Sequence, residues 1–472
     1  MTARGHWGSR FAFVLAAAGS AVGLGNIWKF PYITGVYGGG LFVSVYLVCI
    51  LFVGIPVLMA EVMIGRATQK SPVGAFASLS AGASAWSLVG WMGVVSGLII
   101  LSYYSVVAGW SLHYVFLCAT NSLSGMDSDA IANVFGSLYA HGALNVFWHL
   151  VVMSLTTSIV LGGVSGGIET SVKILMPALL ILMSLLLVDA MFQKGFLPAV
   201  SFIFEPRLTE LSAEGVLEAL GHSFFTLSLG MGAMLTYGSY LREDDDVPSA
   251  AILIGGLDTF VALVACLVIF PIIFTFDLTS QGGPGLVFGT IPVALSQLPG
   301  GGILNFAFFT LLFFAALSST ISLLEVVTAT VIDQFGWSRV RATIAVGLTI
   351  TLLGIPSALS GSSAVFGDGW ASVFGKNYFD SFDWVASNVL LPTGGLLIAL
   401  YAGWVMPPQI RELEFKRGSR LDGLYPVWLG IIRYVSPAAI FVVLLFSLGL
   451  LEPLISSETS AQVPAMTKAT DG

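Results

Sequence analysis

Charge is what this sequence has least of. Asp, Glu, Lys and Arg together make 9% of its 472 residues, where a soluble chain carries about a quarter. Hydrophobic residues make up 56% and mean hydropathy is +0.92, so a soluble globular domain is excluded. Cysteine is nearly absent. Cys49, Cys118 and Cys266 each lie inside an apolar run as small hydrophobes, which rules out a disulfide framework and a cysteine metal site. No Ser/His pair, paired aspartates or His-x-x-x-His metal arrangement is found, which argues against an intramembrane hydrolase, and the expectation is that the chain is not an enzyme.

What the sequence has instead is long apolar runs, each able to cross the roughly 30 Å hydrocarbon core with about 20 residues. Hydropathy predicts an all-α, polytopic membrane protein of about eleven spans: 11–35, 41–66, 87–118, 146–163, 167–191, 215–240, 249–275, 303–334, 341–357, 383–406 and 425–451. Polar connections are expected at 119–145, 192–214, 276–302 and 358–382, with a loose tail at 452–472 and no separate soluble domain. The first run lacks a signal-peptide cleavage site and reads as a retained span. Lys and Arg crowd one set of connections, which places the N-terminus in the cytoplasm and, after an odd number of spans, the C-terminus outside.

Two spans are interrupted. In "AAAGSAVGLGNIWKFPY" (Ala16 to Tyr32), Gly19, Gly23 and Gly25 with Asn26 predict that the first helix is released at its midpoint. In "HSFFTLSLGMGAMLTYGSY" (His222 to Tyr240), Thr226, Ser228, Gly230 and Gly232 do the same five spans later. Matching breaks point to an inverted repeat, helices 1–5 over 11–206 and helices 6–10 over 215–406, with 425–451 as an added helix. The binding site lies where the breaks meet, because non-helical backbone at that depth must line a polar cavity or be buried. Gly19-x-x-x-Gly23 also fits a small-residue contact between helices.

The motifs "GSAVGLGNIWKFPY", "YGGGLF", "GIPVLMAEVMIGR", "FFTLSLGMG" and "FFAALSST" occur in the order seen in one family. Over nearly the whole chain the sequence resembles the neurotransmitter:sodium symporters, which have the LeuT-type fold. The resemblance implies a sodium-coupled symporter of neutral, hydrophobic L-amino acids working by alternating access. A proton-coupled transporter or an ion channel is the alternative. The expected partners are the amino acid, sodium ions and the lipid bilayer of the cell's inner membrane, with no nucleic acid; monomer and dimer stay open.

The resemblance places one sodium site at Ala21, Asn26, Thr226 and Asp258, and a second at the backbone of Gly19, Val22 and Ala315 with the hydroxyls of Ser318 and Ser319. Oxygen ligands are what a hard cation takes. The hydroxyls of "AALSST" are equally able to bond back to the preceding turn. Asp258 stands where most relatives carry Asn and is the only charge in its apolar run, so its carboxylate replaces the anion that chloride-dependent relatives need. The substrate pocket is implied at Ser20, Ala21, Leu24, Gly25, Ile100, Tyr104, Phe225, Thr226, Ser228, Met231, Ser319 and Leu323. Monoamine-transporting relatives carry an Asp at the position of Gly23, so here the ligand brings its own carboxylate.

The same resemblance implies an outer charged gate at Lys29 and Asp383, with Phe225 and Tyr104 as an aromatic lid. The inner gate falls on Arg4 and Asp333, supported by Trp7 and Tyr240. Glu61 either supports the broken sixth helix or snorkels to the interface. Gly167 and Pro177 either let the fifth helix unwind or mark a plain start and a kink. His222 is expected to be a hydrogen-bonded core residue, with a proton carrier as the alternative.

Overall fold

The computed structural model describes residues 5–80, 85–206, 212–278, 284–363 and 365–451. Among these the chain is helical, with one isolated antiparallel bridge between Gly39 and Pro206. Nine continuous helices are long and apolar enough to cross a membrane. They are span 2 (Gly40–Thr68), span 3 (Ser87–Ala119), span 4 (Gly142–Leu161), span 5 (Val164–Ala190), span 7 (Val247–Thr275), span 8 (Gly301–Phe335), span 9 (Arg339–Ala358), span 10 (Tyr378–Val405) and span 11 (Asp422–Ser447). Span 1 is two helices, Arg10–Ala21 and Gly25–Val36, bent by 53°. Span 6 is also two, Ala213–Thr226 and Ala233–Gly238. Counting each broken pair once gives the eleven that hydropathy predicts.

The starts of several spans follow local capping chemistry. Ser9, Ser212, Asp246 and Ser338 each accept a backbone N–H three residues on, ahead of spans 1, 6, 7 and 9. Four connections expected to be merely polar contain helices: Ser128–Ala140, Phe196–Phe204, Leu286–Ser296 and Trp370–Phe374. Each is too short to register as a hydropathy maximum.

Of the nine continuous spans, 3, 7 and 8 are the most buried, and span 8 lies along span 3 and against span 1. Glycines make this close approach possible. A Cβ on Gly93 would stand 3.1 Å from the Met231 carbonyl carbon, so span 3 touches backbone at the break in span 6. Gly167 sits in the π-helical first turn of span 5, and a Cβ there would meet the Ile159 carbonyl of span 4 at 1.9 Å. Span 5 therefore begins three residues before Gly167, which serves as a contact point inside the helix. Pro177 lies inside the same helix.

Candidate substrate and ion site

The break in span 1 is narrower than its three glycines suggest. The first helix runs to Ala21, and only Val22, Gly23 and Leu24 separate it from the second. Gly19 stays helical because it is a packing contact: a Cβ would stand 3.1 Å from Met176 Sδ and 3.5 Å from Ser318 Cβ. The sequence-level expectation that Gly19 and Gly25 are released is corrected to Gly23 alone.

Hydrogen bonds explain why the helix stops there. Continuing it would send the N–H groups of Gly23 and Leu24 to the carbonyls four residues back. Gly23 donates instead to Asn26 Oδ1 at 3.0 Å, and Leu24 to the Tyr104 hydroxyl oxygen at 3.1 Å. The carbonyl of Ser20 then accepts the hydroxyls of Ser228 (2.9 Å) and Ser319 (3.3 Å). One freed carbonyl thus joins spans 1, 6 and 8. Ser20 Oγ adds a 2.8 Å bond to Ser322, which the sequence reading passed over although it continues the hydroxyl run one turn beyond Ser319.

Span 6 breaks between Thr226 and Ala233. Ser228 adopts φ 55°, and Gly230 and Gly232 adopt 82° and 76°, a left-handed region that favours glycine. A Cβ on Gly230 would meet the Leu391 carbonyl at 2.4 Å. The Gly230 N–H, freed by the break, donates to Glu61 Oε1 at 2.7 Å. Glu61 is fully buried and does not snorkel to an interface.

Beside the two breaks, four residues gather oxygen. Asp258 is fully buried in span 7. Its Oδ1 accepts from Asn26 Nδ2 at 2.8 Å, its Oδ2 from the Thr226 hydroxyl at 3.0 Å, and the Tyr46 hydroxyl lies 3.4 Å from Oδ2. Asn26 Nδ2 also meets Thr226 Oγ1 and the Asp258 carbonyl, each at 3.1 Å. Oxygens of carbonyl, hydroxyl and carboxylate type surround the neutral Asn26 amide N–H2 group, and such oxygens are a donor set suited to a small hard cation. Tyr46 carried no sequence signal of its own. A second group forms where span 1 meets span 8. Ser318 and Ser319 bond back to the Ala315 carbonyl at 2.9 and 3.3 Å, and Gly19 packs on Ser318, while Val22 caps the first helix one turn on.

Between these clusters lies a narrow cavity of about 40 Å³. Ser20, Ala21, Gly25, Ile100, Tyr104, Phe225, Thr226, Ser228, Met231, Ser319 and Leu323 line it, together with Gly23 and Ser322. Leu24 is not among the lining residues and contributes its N–H to Tyr104. A Cβ on Gly23 would stand 2.9 Å from both Tyr104 Oη and Ser319 Oγ, so the glycine keeps open the space between two hydroxyls.

Above the cavity, Lys29 and Asp383 do not come within 4.0 Å as an ion pair. The Lys29 ammonium lies 5.6 Å from the Phe225 ring centroid, and Asp383 accepts from Ser387 at 3.3 Å. The expected direct contact is thus replaced by a cation–π contact, which a single-point ammonium makes without a carboxylate. His222 is buried and stacks on Phe30 with centroids 5.5 Å apart, but neither ring nitrogen has a hydrogen-bond partner among the described residues. It is a core residue without the expected hydrogen bond.

Below the cavity, Trp7 Nε1 donates to the Tyr237 carbonyl at 2.9 Å and its backbone N–H to Tyr240 at 3.2 Å. Arg4 lies outside the described residues. Asp333 accepts the Ser71 N–H at 2.7 Å. Two acids not anticipated at this end matter more in the packing. Glu325 accepts from the Tyr240 hydroxyl and Arg339, both at 2.5 Å. Glu169 accepts the Gly8 N–H at 2.8 Å and pairs with Lys173 at 2.6 Å. Glu325, alone in its apolar run, carried the same signal as Asp258.

Comparison with known proteins gives this geometry a family. The family model for sodium:neurotransmitter symporters matches residues 4–133 and 130–460. The chain belongs to the sodium:neurotransmitter symporter family. A sodium-dependent transporter of Bacillus subtilis, YhdH, is 37% identical over 446 residues, covering 94% of this chain and 98% of the relative. One from Haemophilus influenzae is 30% identical with the same coverage. The crystal structure of MhsT in complex with L-phenylalanine superposes with a TM-score of 0.86 at 43% identity, covering 94% of this chain and all of MhsT. This symporter therefore has the LeuT-type fold and is a transporter and not an enzyme.

Proposed function

We propose that this symporter carries neutral, hydrophobic L-amino acids with sodium and without chloride. The observation that carries the reading is the cavity at Gly23. It offers the ligand two hydroxyls and no side-chain acid, so a substrate amine meets only carbonyls while a substrate carboxylate is welcome. Ile100, Phe225, Met231 and Leu323 supply an apolar chamber for the side chain, and Met231 adapts in shape. The phenylalanine bound by MhsT supports the same class.

In this reading Ala21, Asn26, Thr226 and Asp258 hold one sodium, and Gly19, Val22, Ala315, Ser318 and Ser319 a second. The substrate carboxylate shares the first ion, which makes each bind better with the other present. Lys29 and Asp383 close the outer side and Trp7, Tyr240 and Asp333, with Arg4, the inner side. Glu61 steadies span 6, and Gly167 and Pro177 are where span 5 opens a water route. The two five-helix repeats move against each other in the inner membrane, N-terminus in the cytoplasm and C-terminus outside.

The test is a binding panel on purified protein in sodium or choline. Leucine- or phenylalanine-like ligands are expected to bind in sodium alone. Preference for glycine, for a charged amino acid or for a monoamine lacking a carboxylate contradicts the reading.

A further inference from the structure

The end of span 10 gathers two guanidinium groups and no acid. Arg411, on the helix Pro408–Lys416, is buried at 2% exposure. Its Nη1 donates to the carbonyls of Ala402 (3.0 Å) and Gly403 (2.7 Å), and its Nε to the Tyr425 hydroxyl at 3.2 Å. Arg433, the only charge in span 11 after Asp422, donates its Nε to the same Gly403 carbonyl at 2.8 Å. Gly403 is what admits it, since a Cβ there would stand 3.1 Å from Arg433 Cγ.

Among the described residues no carboxylate lies within 4.0 Å of either guanidinium. The neighbouring acids are engaged elsewhere: Glu414 with Arg66 at 2.7 Å and Glu412 with Lys416 at 2.6 Å. A helix carboxyl end contributes about half a negative charge, against two full positive ones converging on a single oxygen. Such an imbalance beside apolar surface is costly unless an anion completes it.

The open side is exposed on the surface of spans 10 and 11. Trp404 is 54% and Tyr434 62% exposed, and their rings meet edge to face at 5.4 Å. The Arg433 guanidinium carbon lies 5.3 Å from the Trp404 ring centroid, and Trp404 Nε1 donates to the Arg433 carbonyl at 3.2 Å. Trp, Tyr and Arg together are the residues of a membrane interface. We infer that Arg411, Arg433, Trp404 and Tyr434 form a site for a phosphate anion entering from the bilayer, the headgroup of an anionic phospholipid. Arg433 makes the direct contact, where a guanidinium fork suits phosphate oxygens. Arg411 holds the second charge behind it.

The experiment uses delipidated full-length protein titrated with phosphatidylglycerol, phosphatidylcholine or inorganic phosphate, read by thermal unfolding and by native mass spectrometry. Phosphatidylglycerol is expected to raise the melting temperature and to persist as an adduct, and phosphatidylcholine is not. Arg433→Gln weakens phosphatidylglycerol binding by about fivefold, as expected for one interfacial cation, and Arg433→Lys restores part of it. Equal effects of the two lipids, an unchanged phosphatidylglycerol adduct in R433Q, or an equal shift from inorganic phosphate at matched concentration overturns the headgroup assignment. If R433Q does not fold, the comparison of lipids on the wild-type protein decides alone.

Discussion

Asp258 Oδ1 stands 2.8 Å from Asn26 Nδ2, tying span 7 to span 1 two residues past its break. The carboxylate is fully buried and, among the described residues, has no basic partner within 4.0 Å. A cation drawn into this cluster meets a full negative charge supplied by the chain itself. At an effective dielectric of about 20, opposite charges about 4 Å apart attract by roughly 4 kcal/mol before desolvation is counted. Asp258→Asn is therefore expected to raise the sodium concentration for half-maximal uptake by at least about tenfold. Wild-type uptake should be unchanged when gluconate replaces chloride. A sodium titration of both proteins, with and without chloride, checks this.

Gly23 leaves no room for a methyl group between Tyr104 and Ser319, each 2.9 Å from the position a Cβ would take. Gly23→Ala is expected to weaken amino-acid binding by about fivefold or more, since displacing either hydroxyl breaks a bond at the helix break, each worth about 1 kcal/mol. Melting temperature should fall only slightly. Equilibrium binding beside a thermal melt separates the two effects, and unchanged affinity would remove Gly23 from the pocket.

Glu169 joins the first turn of span 5 to the backbone of Gly8, one residue from Trp7, which is bonded to Tyr237 and Tyr240 of span 6. Glu169→Gln weakens a charge-assisted bond, worth about 1.5–3 kcal/mol, to a neutral one. Hydrogen exchange at residues 6–9 should accelerate by about tenfold. Exchange equal to wild type would show that the N-terminal segment is held by Trp7 alone.

Asp246 caps span 7 through Ser249 N–H at 3.0 Å. Burial raises its carboxyl pKa, but the bonds from Ser249 and Arg420 and the charge of Arg10 outweigh that and hold it below the ordinary value. A depressed folded value means the contribution is present in full above the unfolded pKa of about 3.9 and is lost as pH falls through the folded one. Asp246→Ala should cost about 1 kcal/mol at neutral pH, and the difference from wild type should shrink below about pH 4. Melting temperatures across that range test the sign.

Much of the fold was legible because a bilayer imposes one simple requirement, a long apolar run, and all eleven spans differ from their hydropathy limits only at the ends. The break in span 6 was equally legible, since Gly230 and Gly232 sit where a helix has least reason to place them. Gly19 was not. A glycine that releases backbone and one that admits Met176 look alike in sequence, and only the contact tells them apart. The helix Ser128–Ala140 escaped notice because it is amphipathic and lies in a connection. Glu169 acts on a backbone N–H of Gly8, which leaves no mark on residue identity. The contact of Lys29 with the Phe225 ring, in place of Asp383, is a matter of spatial proximity that residue identity does not record.

The central claim is that sodium drives a hydrophobic amino acid across the membrane. Purified protein in liposomes, given radiolabelled phenylalanine or leucine under an inward sodium gradient, measures it directly. Accumulation above equilibrium that disappears when choline replaces sodium at fixed pH, and persists when gluconate replaces chloride, is the predicted result. Concentrative uptake undiminished in choline would contradict the account and assign the driving ion to the proton.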